Sequence, residues 1–407
     1  MEKPLLPPVM VSFAITRQCN LRCRHCYASA TDSPHPHELA TTEAKRVISE
    51  VAASGARLLI FDGGEPLVRP DIYELVAHAK SAGLYPILGS NGTLLSTDAA
   101  DKLKRAGIGA VAISIYGTEA KSHDAFTGRE GSWARSLSGI RNVASAGIAF
   151  QLNTCLYHNS LAQFDGLADL ARRSGAAALE VFDFIPVGRA KEHADLALAP
   201  EERVDFIRRV IALQLQDDKI MYRCIAFPQL LLEVEKTVAA AEDRKKFTRT
   251  CCGAGIRYCS IFYEGTVYPC TVLQKKAGNV TESSFQEIWQ GSDVFKTLRN
   301  REKLGGKCGR CTNRDACAGA RCLVFAKTGS LTKEDNYCWL GAEEIQAIPP
   351  IEGISCKHCG RKQLVTCEVC GTPLCEEHSF YCPLCRAPVC HPDVKECFFQ
   401  HRCRATS

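Results

Sequence analysis

The chain has 407 residues, 46% of them apolar, which predicts a folded protein of two or three domains rather than a disordered one. Its 50 basic and 45 acidic residues give a net charge of +5 and form no basic block, so we expect no nucleic-acid partner. The N-terminus lacks the apolar segment of a signal peptide, and no apolar run is long enough to span a membrane. We therefore expect a cytoplasmic protein with no membrane partner.

Residues 9–217 alternate between short β-branched runs and longer amphipathic runs. The predicted strands are 9–15, 57–61, 85–89, 109–116, 148–156 and 178–185, and the predicted helices are 43–54, 72–82, 99–106, 133–146 and 161–174. Six β-α units imply parallel strands with right-handed crossovers, and hence an α/β barrel or partial barrel. The alternation stops after residue 217, and one predicted helix, 229–246, precedes a cysteine-rich region.

Cysteine is unusually frequent, with 24 residues in the chain. Thiols of a cytosolic protein stay reduced, so metal ligation explains them better than a disulfide framework. They fall in three regions, 19–26, 251–338 and 356–403, with only Cys155 and Cys224 between the first two. This clustering favours three metal-binding regions over scattered core thiols.

The first of these regions has the spacing C-x3-C-x2-C, at Cys19, Cys23 and Cys26, directly after the first predicted strand. Loops at the carboxyl ends of the strands carry the chemistry of α/β barrels. Three thiolates at this spacing can hold a 4Fe–4S cluster and leave its fourth iron open to a small ligand. A structural zinc site is the alternative, although the spacing is unusual for zinc and no fourth ligand lies nearby.

The spacing resembles the signature of the radical S-adenosylmethionine (SAM) superfamily, and the resemblance covers residues 9–190. That family binds the methionine amine of SAM with a GGEP motif, which corresponds to the turn after the second predicted strand: Gly63, Gly64, Glu65 and Pro66. The paired glycines are expected to let the backbone approach the ligand closely. Asp62, just before the motif, stands where the family more often has Thr or Ser.

Three polar residues on later strands resemble further SAM contacts of the family: Asn91 after the third, Ser114 at the end of the fourth and Asn153 on the fifth. Ordinary strand-end polar residues are the alternative. The resemblance implies that one electron, from a donor such as flavodoxin or ferredoxin, cleaves SAM to methionine and a 5′-deoxyadenosyl radical. That radical would abstract hydrogen from an unreactive C–H bond.

Residues 251–338 resemble the SPASM extension of radical SAM enzymes, which carries auxiliary 4Fe–4S clusters. By this resemblance the first auxiliary cluster uses Cys252, Cys259, Cys270 and Cys322. The second uses Cys308, Cys311, Cys317 and Cys338. Four residues separate Cys317 from Cys322 where the family pattern has three, and Cys251 is an alternative to Cys252. A pair of zinc knuckles is the competing interpretation.

The last cysteine region contains four knuckle-like pairs: Cys356 and Cys359, Cys367 and Cys370, Cys375 and His378, Cys382 and Cys385. Eight such ligands suit two tetrahedral zinc ions in a zinc-ribbon-like domain. A third zinc could use the remaining candidates, which are Cys390, His391, Cys397, His401 and Cys403. A rubredoxin-like iron site or a further iron–sulfur cluster is the alternative.

Together these patterns predict a partial (β/α)6 radical SAM barrel, a SPASM domain and a small zinc-ribbon-like domain. The expected boundaries are 1–217 for the barrel, 218–250 for a helical connector, 251–347 for SPASM and 348–407 for the tail.

Three functions remain open. Maturation of a peptide or protein comes first. A tetrapyrrole side-chain decarboxylase or deacetylase of an alternative haem pathway comes second, with Arg129, Arg189 and Arg257 as candidates to meet substrate carboxylates. The third is a non-catalytic iron–sulfur or zinc interaction protein, against which the intact C-x3-C-x2-C and GGEP motifs argue.

Overall fold

The computed structural model describes residue 5 and residues 7–348, apart from 159, 218, 245 and 248–251, and the backbone of four short strands between 365 and 390. Its strands are β1 (Met10–Thr16), β2 (Leu58–Gly63), β3 (Tyr85–Ser90), β4 (Ala110–Ser114), β5 (Phe150–Leu156), β6 (Ala178–Asp183), β7 (Met221–Ile225), β8 (Tyr258–Ile261), β9 (Thr266–Tyr268), β10 (Gly278–Asn279), β11 (Val365–Thr366), β12 (Pro373–Leu374), β13 (Ser379–Tyr381) and β14 (Pro388–Cys390).

Its α-helices are α1 (Thr41–Ala53), α2 (Ile72–Ser81), α3 (Thr97–Arg105), α4 (Ala120–Thr127), α5 (Ser132–Ser145), α6 (Phe164–Ser174), α7 (Pro200–Gln216), α8 (Leu230–Thr237), α9 (Ala241–Arg244), α10 (Phe285–Gly291), α11 (Asp293–Arg299), α12 (Gly306–Arg310), α13 (Arg314–Cys317), α14 (Arg321–Thr328) and α15 (Ala342–Ala347). Short 3₁₀ helices span Pro66–Val68, Leu161–Gln163, Gly188–Leu196 and Arg301–Lys303.

The chain forms two compact units, and each is discontinuous in sequence. The first unit comprises Met1–Leu198 with Ala254–Arg299, and the second comprises Ala199–Gly253 with Asn300–Ser407. The four domains expected from the sequence divide the chain differently, and their boundaries stay a prediction.

In the first unit the strands lie in the order β10-β9-β8-β1-β2-β3-β4-β5-β6. Neighbours from β1 to β6 pair in parallel, which confirms the predicted α/β architecture with a parallel sheet. The sequence did not predict that β8, from the cysteine-rich region, pairs in parallel with β1 on its other side. Met10 is thereby in register with both Leu58 and Tyr258.

Burial explains the pattern of these elements. Every residue of β1 after Met10 is buried, as expected for a strand covered on both faces of a parallel sheet. Helix α1 buries Ala44, Val47, Ile48 and Val51, a spacing that places one apolar stripe against the sheet. The Ser96 hydroxyl caps α3 by accepting from the Ala99 amide at 3.1 Å.

The predicted helices correspond to α1, α2, α3, α5 and α6, whereas α4 and α7 were not predicted. The helical stretch predicted roughly over 229–246 is present in part, as two helices, α8 and α9. Helix α8 ends at Thr237 because Val238 has an extended backbone conformation. The Val238 carbonyl accepts from Arg244 Nε at 2.6 Å and does not take part in the hydrogen bonding of the helix.

In the second unit a small hydrophobic core packs against the later cysteines. It contains Leu232, Cys317, Leu340, Ile345 and Ile348. In the tail, β11 pairs with β12 and β13 pairs with β14, both antiparallel. All eight predicted zinc ligands between Cys356 and Cys385 lie outside the described residues. Among the helices that the structure describes, none combines the length and apolarity that a membrane crossing needs.

Candidate active site

The loop after β1 carries Cys19, Cys23 and Cys26, and its backbone is arranged around their sulfurs. The Leu21 amide donates to Cys19 Sγ at 3.4 Å, and the Ala30 amide donates to Cys26 Sγ at 3.3 Å. Amide donors to sulfur are a recurrent feature of thiolate ligands in iron–sulfur sites, where they help to set the cluster's potential.

Burial makes Cys19 and Cys23 poor thiolates in the absence of a metal. It raises the pKa of Cys19 to about 12, helped by the negative charge of Glu65. Burial also raises the pKa of Cys23 well above its ordinary value, with Cys26 as the second cause. A bound metal supplies the positive charge that deprotonates such thiols. The three cysteines therefore fit a 4Fe–4S cluster in donor type, placement and electrostatics.

Arg189, just after β6, clamps this loop. Its backbone amide donates to the Cys26 carbonyl at 3.0 Å, and its guanidinium donates to the carbonyls of Cys23 (2.9 Å) and Ala30. Gly188 before it has φ +57°, and a Cβ there would overlap the Tyr27 carbonyl. The sequence suggested Arg189 as a partner for a substrate carboxylate; the structure uses its guanidinium to hold the cysteine loop.

The GGEP turn, Gly63 to Pro66, packs on the same loop. The Gly64 amide donates to the Thr16 carbonyl and the Glu65 amide to the Gln18 carbonyl, both at 2.8 Å. A Cβ at Gly64 would overlap the Gln18 carbonyl oxygen, and one at Gly63 would lie 2.5 Å from that of Thr16. The two glycines are thus required by the close approach of the backbone after β1, a reason that the sequence did not reveal.

Glu65 joins the carboxyl ends of β2 and β3. Its carboxylate is fully buried and accepts from Ser90 Oγ (2.9 Å), the Asn91 amide (2.8 Å) and the Leu67 amide (3.2 Å). Burial raises its pKa to about 7 despite these hydrogen bonds. Glu65 therefore fixes the polar turn after β3, next to the cysteine loop.

The other predicted SAM contacts follow along the same edge of the sheet. Asn91 Nδ2 donates to Asn20 Oδ1 at 2.8 Å and points to Cys19 Sγ at 3.8 Å. Ser114 on β4 is the register partner of Asn153 on β5. Because carboxyl ends of neighbouring parallel strands meet at one edge, the fold brings Asn91, Ser114 and Asn153 near the cysteine loop. Their contact with SAM stays a prediction.

Helix α4, which was not predicted, supports the cysteine loop from the opposite direction. The Arg22 and Arg24 amides donate to the carbonyls of Thr127 (2.9 Å) and Phe126 (3.0 Å). His123 Nδ1 accepts from the Tyr116 amide at 3.1 Å, two residues after Ser114. The run from His123 to Gly128, which ends in a glycine suited to close a helix, is the signal that could have predicted this helix.

In the second unit one cavity is lined by all four cysteines predicted for the second auxiliary cluster. They are Cys308, Cys311, Cys317 and Cys338. The Asp335 amide donates to Cys308 Sγ at 3.2 Å, and burial raises the pKa of all four thiols. Two buried and two partly buried thiols with an amide donor fit a fully ligated iron–sulfur cluster.

The ligands predicted for the first auxiliary cluster stay a prediction. Cys259 and Cys270 belong to the first unit, Cys252 and Cys322 to the second, and Cys251 lies outside the described residues. Within the described ranges, no three His, Cys, Asp or Glu side chains converge on a single metal ion.

Comparison with known proteins finds two family models and several named proteins that are similar to this chain. A model described as the radical SAM superfamily matches residues 13–171, and one described as an iron–sulfur cluster-binding domain, SPASM, matches residues 251–312. The chain is 36% identical over 339 residues to an AdoMet-dependent heme synthase of Methanosarcina barkeri (AdoMet is SAM), covering 81% of this chain and 96% of that protein.

Two further likenesses concern a protein named as a maturase and a protein crystallised with a precursor peptide. The chain is 30% identical over 350 residues to the mycofactocin maturase MftC of Mycobacterium tuberculosis, covering 84% of this chain and 86% of that protein. The crystal structure of Streptococcus suis SuiB bound to its precursor peptide SuiA has a TM-score of 0.65 at 17% identity, covering 82% of this chain and 76% of SuiB. At that identity, the SuiB likeness concerns the fold alone.

Proposed function

The chain belongs to the radical SAM superfamily and carries a SPASM domain, and we propose that it acts in haem synthesis, on a carboxyl-bearing side chain of a tetrapyrrole. The observation that carries this proposal is the similarity to the heme synthase, which spans nearly the whole of that protein at 36% identity. The reaction would be a decarboxylation or deacetylation.

The bound cluster and SAM supply a 5′-deoxyadenosyl radical. The chain's residues hold the geometry in which that chemistry occurs. Arg189 and the GGEP turn fix the cysteine loop from two sides, and α4 fixes it from a third. Glu65 holds the turn that carries Asn91. A loop held at this many points keeps the cluster in one orientation, as proximity catalysis requires.

A tetrapyrrole with acidic side chains needs cationic partners. Arg129 is exposed and directly follows Gly128. Gly128 lies against the backbone of Arg22, so Arg129 lies beside the cysteine loop. Arg189 is committed to backbone carbonyls, so Arg129 is the better of these two candidates to meet a substrate carboxylate.

Peptide maturation is the second candidate. It is supported by 30% identity to the mycofactocin maturase across most of both chains, against 36% to the heme synthase. The two candidates share the radical chemistry and differ in the substrate alone.

The test is to load the protein with iron and sulfide anaerobically and to add SAM, a reductant and iron tetrapyrroles that carry acetate or propionate side chains. We expect 5′-deoxyadenosine together with a tetrapyrrole that has lost a carboxyl-bearing group, both measured by mass spectrometry. A Cys19→Ala, Cys23→Ala, Cys26→Ala variant should form neither. Formation of 5′-deoxyadenosine with every tetrapyrrole unchanged would reject the substrate and keep the radical chemistry.

A further inference from the structure

A fully buried arginine faces one sulfur of the second auxiliary site. Arg321 opens helix α14 with 0% of its surface exposed, and its Nη2 lies 3.8 Å from Cys308 Sγ. The Asp335 amide donates to the same sulfur at 3.2 Å. Cys308 thus has an amide hydrogen and a guanidinium directed at it from two parts of the second unit.

The guanidinium is held in this position. Its Nη1 donates to the carbonyls of Leu331 (3.3 Å) and Lys333 (2.6 Å). Gly319 makes room for it, because a Cβ at that residue would lie 2.6 Å from Arg321 Nη2. Gly319 also has φ +71°, so both the space and the backbone conformation favour glycine.

The buried carboxylate of Asp335, in the same region, is hydrogen-bonded by neutral donors rather than by Arg321. Asp335 accepts from the amides of Ala320 (2.8 Å) and Tyr337 (2.9 Å) and from Gln229 Nε2 (2.7 Å). A buried guanidinium is costly unless an anionic group lies close to it. An iron–sulfur cluster with four cysteine thiolates is such a group, and it gains a further negative charge when it is reduced.

We propose that Arg321 is a positioning residue of the second auxiliary cluster, whose fixed positive charge at Cys308 Sγ favours the reduced cluster and raises its reduction potential. Solvent screens this charge less than it screens an exposed one, because water does not reach it. The two basic residues that line the cavity, Lys307 and Arg314, are partly exposed, so solvent screens their charges. Arg314 also pairs with Asp315. This inference concerns the cluster, and it holds whichever substrate the enzyme uses.

The experiment measures reduction potentials by electron paramagnetic resonance during a titration with dithionite. The iron-loaded full chain carries Cys19→Ala, Cys23→Ala and Cys26→Ala so that the auxiliary clusters remain. Added Arg321→Gln should move one midpoint potential to more negative values and leave any other midpoint unchanged. Added Arg321→Lys should keep that midpoint near the value of the parent. Arg314→Met is the matched control, and its shift should be much smaller than that of Arg321→Gln.

Iron content, measured on the same samples, separates charge from packing. Loss of cluster iron in Arg321→Gln with retention in Arg321→Lys would support the proposal, since the charge would then be needed to hold the cluster. Equal shifts of the midpoint potential in Arg321→Gln and Arg321→Lys would overturn the proposal. So would no shift in Arg321→Gln, or a shift no larger than that of Arg314→Met. Loss of iron in both Arg321 variants would overturn it as well.

Discussion

His123 shows how a single buried side chain connects the supporting helix to the sheet edge. It is 1% exposed, and its Nδ1 accepts the Tyr116 amide, which requires a neutral imidazole at that nitrogen. Burial lowers its pKa to about 4. His123 therefore stays neutral in the folded protein at pH values where an exposed histidine is protonated.

We expect the stability of the protein to depend on pH through this residue. Between pH 6.5 and 4 the unfolded chain binds a proton at His123 that the folded chain does not. The contribution of His123 to the free energy of unfolding is therefore complete above pH 6.5 and is lost as the pH falls. The loss is at most about 3 kcal/mol. Urea unfolding at several pH values should show a smaller acid loss in His123→Asn than in the parent.

His37, which is exposed, provides the control for that experiment. His37→Asn should follow the parent at every pH. An identical acid loss in His123→Asn would mean that this imidazole is not the group that titrates.

Gly64 carries the closest backbone approach in the candidate site. Gly64→Ala should shift the cysteine loop, because the new Cβ would overlap the Gln18 carbonyl oxygen, which belongs to the backbone and has little freedom to move. Overpacking of this kind costs about 1–3 kcal/mol. We expect a lower unfolding midpoint and less bound iron than in the parent, both measured on the anaerobically loaded protein.

Gly291 supplies the matched substitution, since a Cβ there meets nothing within 4 Å. Gly291→Ala should keep the iron content and the unfolding midpoint of the parent. Full iron in Gly64→Ala would contradict the close-packing explanation of the GGEP turn.

At the scale of elements, the cysteine loop is a short segment held by three distant parts of the chain. The turn after β2 donates to its carbonyls, and the end of α4 accepts from its amides. The segment after β6 donates to three further carbonyls through the backbone amide and the guanidinium of Arg189. Backbone groups of a loop need partners when they are buried, and here each partner also fixes the position of a predicted cluster ligand.

The clamp by Arg189 can be tested directly. Arg189→Met removes two charge-assisted hydrogen bonds to the carbonyls of Cys23 and Ala30, a loss of about 3 kcal/mol or more of loop stabilisation. We expect weaker SAM binding by calorimetry and fewer irons per chain, with Arg189→Lys between this variant and the parent. Arg173→Met, at an exposed position of α6, should change neither quantity. Unaltered SAM binding in Arg189→Met would refute the clamp.

At the scale of the whole molecule, the order of the strands in the sheet differs from their order along the chain. Strand β8 follows the long excursion through residues 199–253, yet it pairs with β1, and residues 254–299 belong to the first unit. The cysteine-rich region is thus shared between the two units, and the expected domain boundary at 251 stays a prediction. Each unit contributes its own cysteines: Cys19, Cys23 and Cys26 in the first, and Cys308 with its three neighbours in the second.

The zinc sites of the tail stay a prediction that metal analysis can test. The full chain should hold about two zinc ions, and a chain ending at Ile348 should hold none, because tetrahedral sites need the ligands between Cys356 and Cys385. The iron content, about twelve per chain for three clusters, should be the same in both. Zinc in the shortened chain, or iron that disappears with the tail, would show that the tail ligands were assigned wrongly.

The sequence by itself determined the local chemistry: the cysteine spacing, the GGEP turn and the order of strands and helices. Those features depend on residues near each other in the chain, so their spacing records them directly. Only the tertiary structure decided that Arg189 holds a loop more than 150 residues away, that β8 lies beside β1, and that Arg321 faces Cys308. Such pairings arise when the chain folds and buries polar groups that must then find partners, and neither arginine stands out by its spacing.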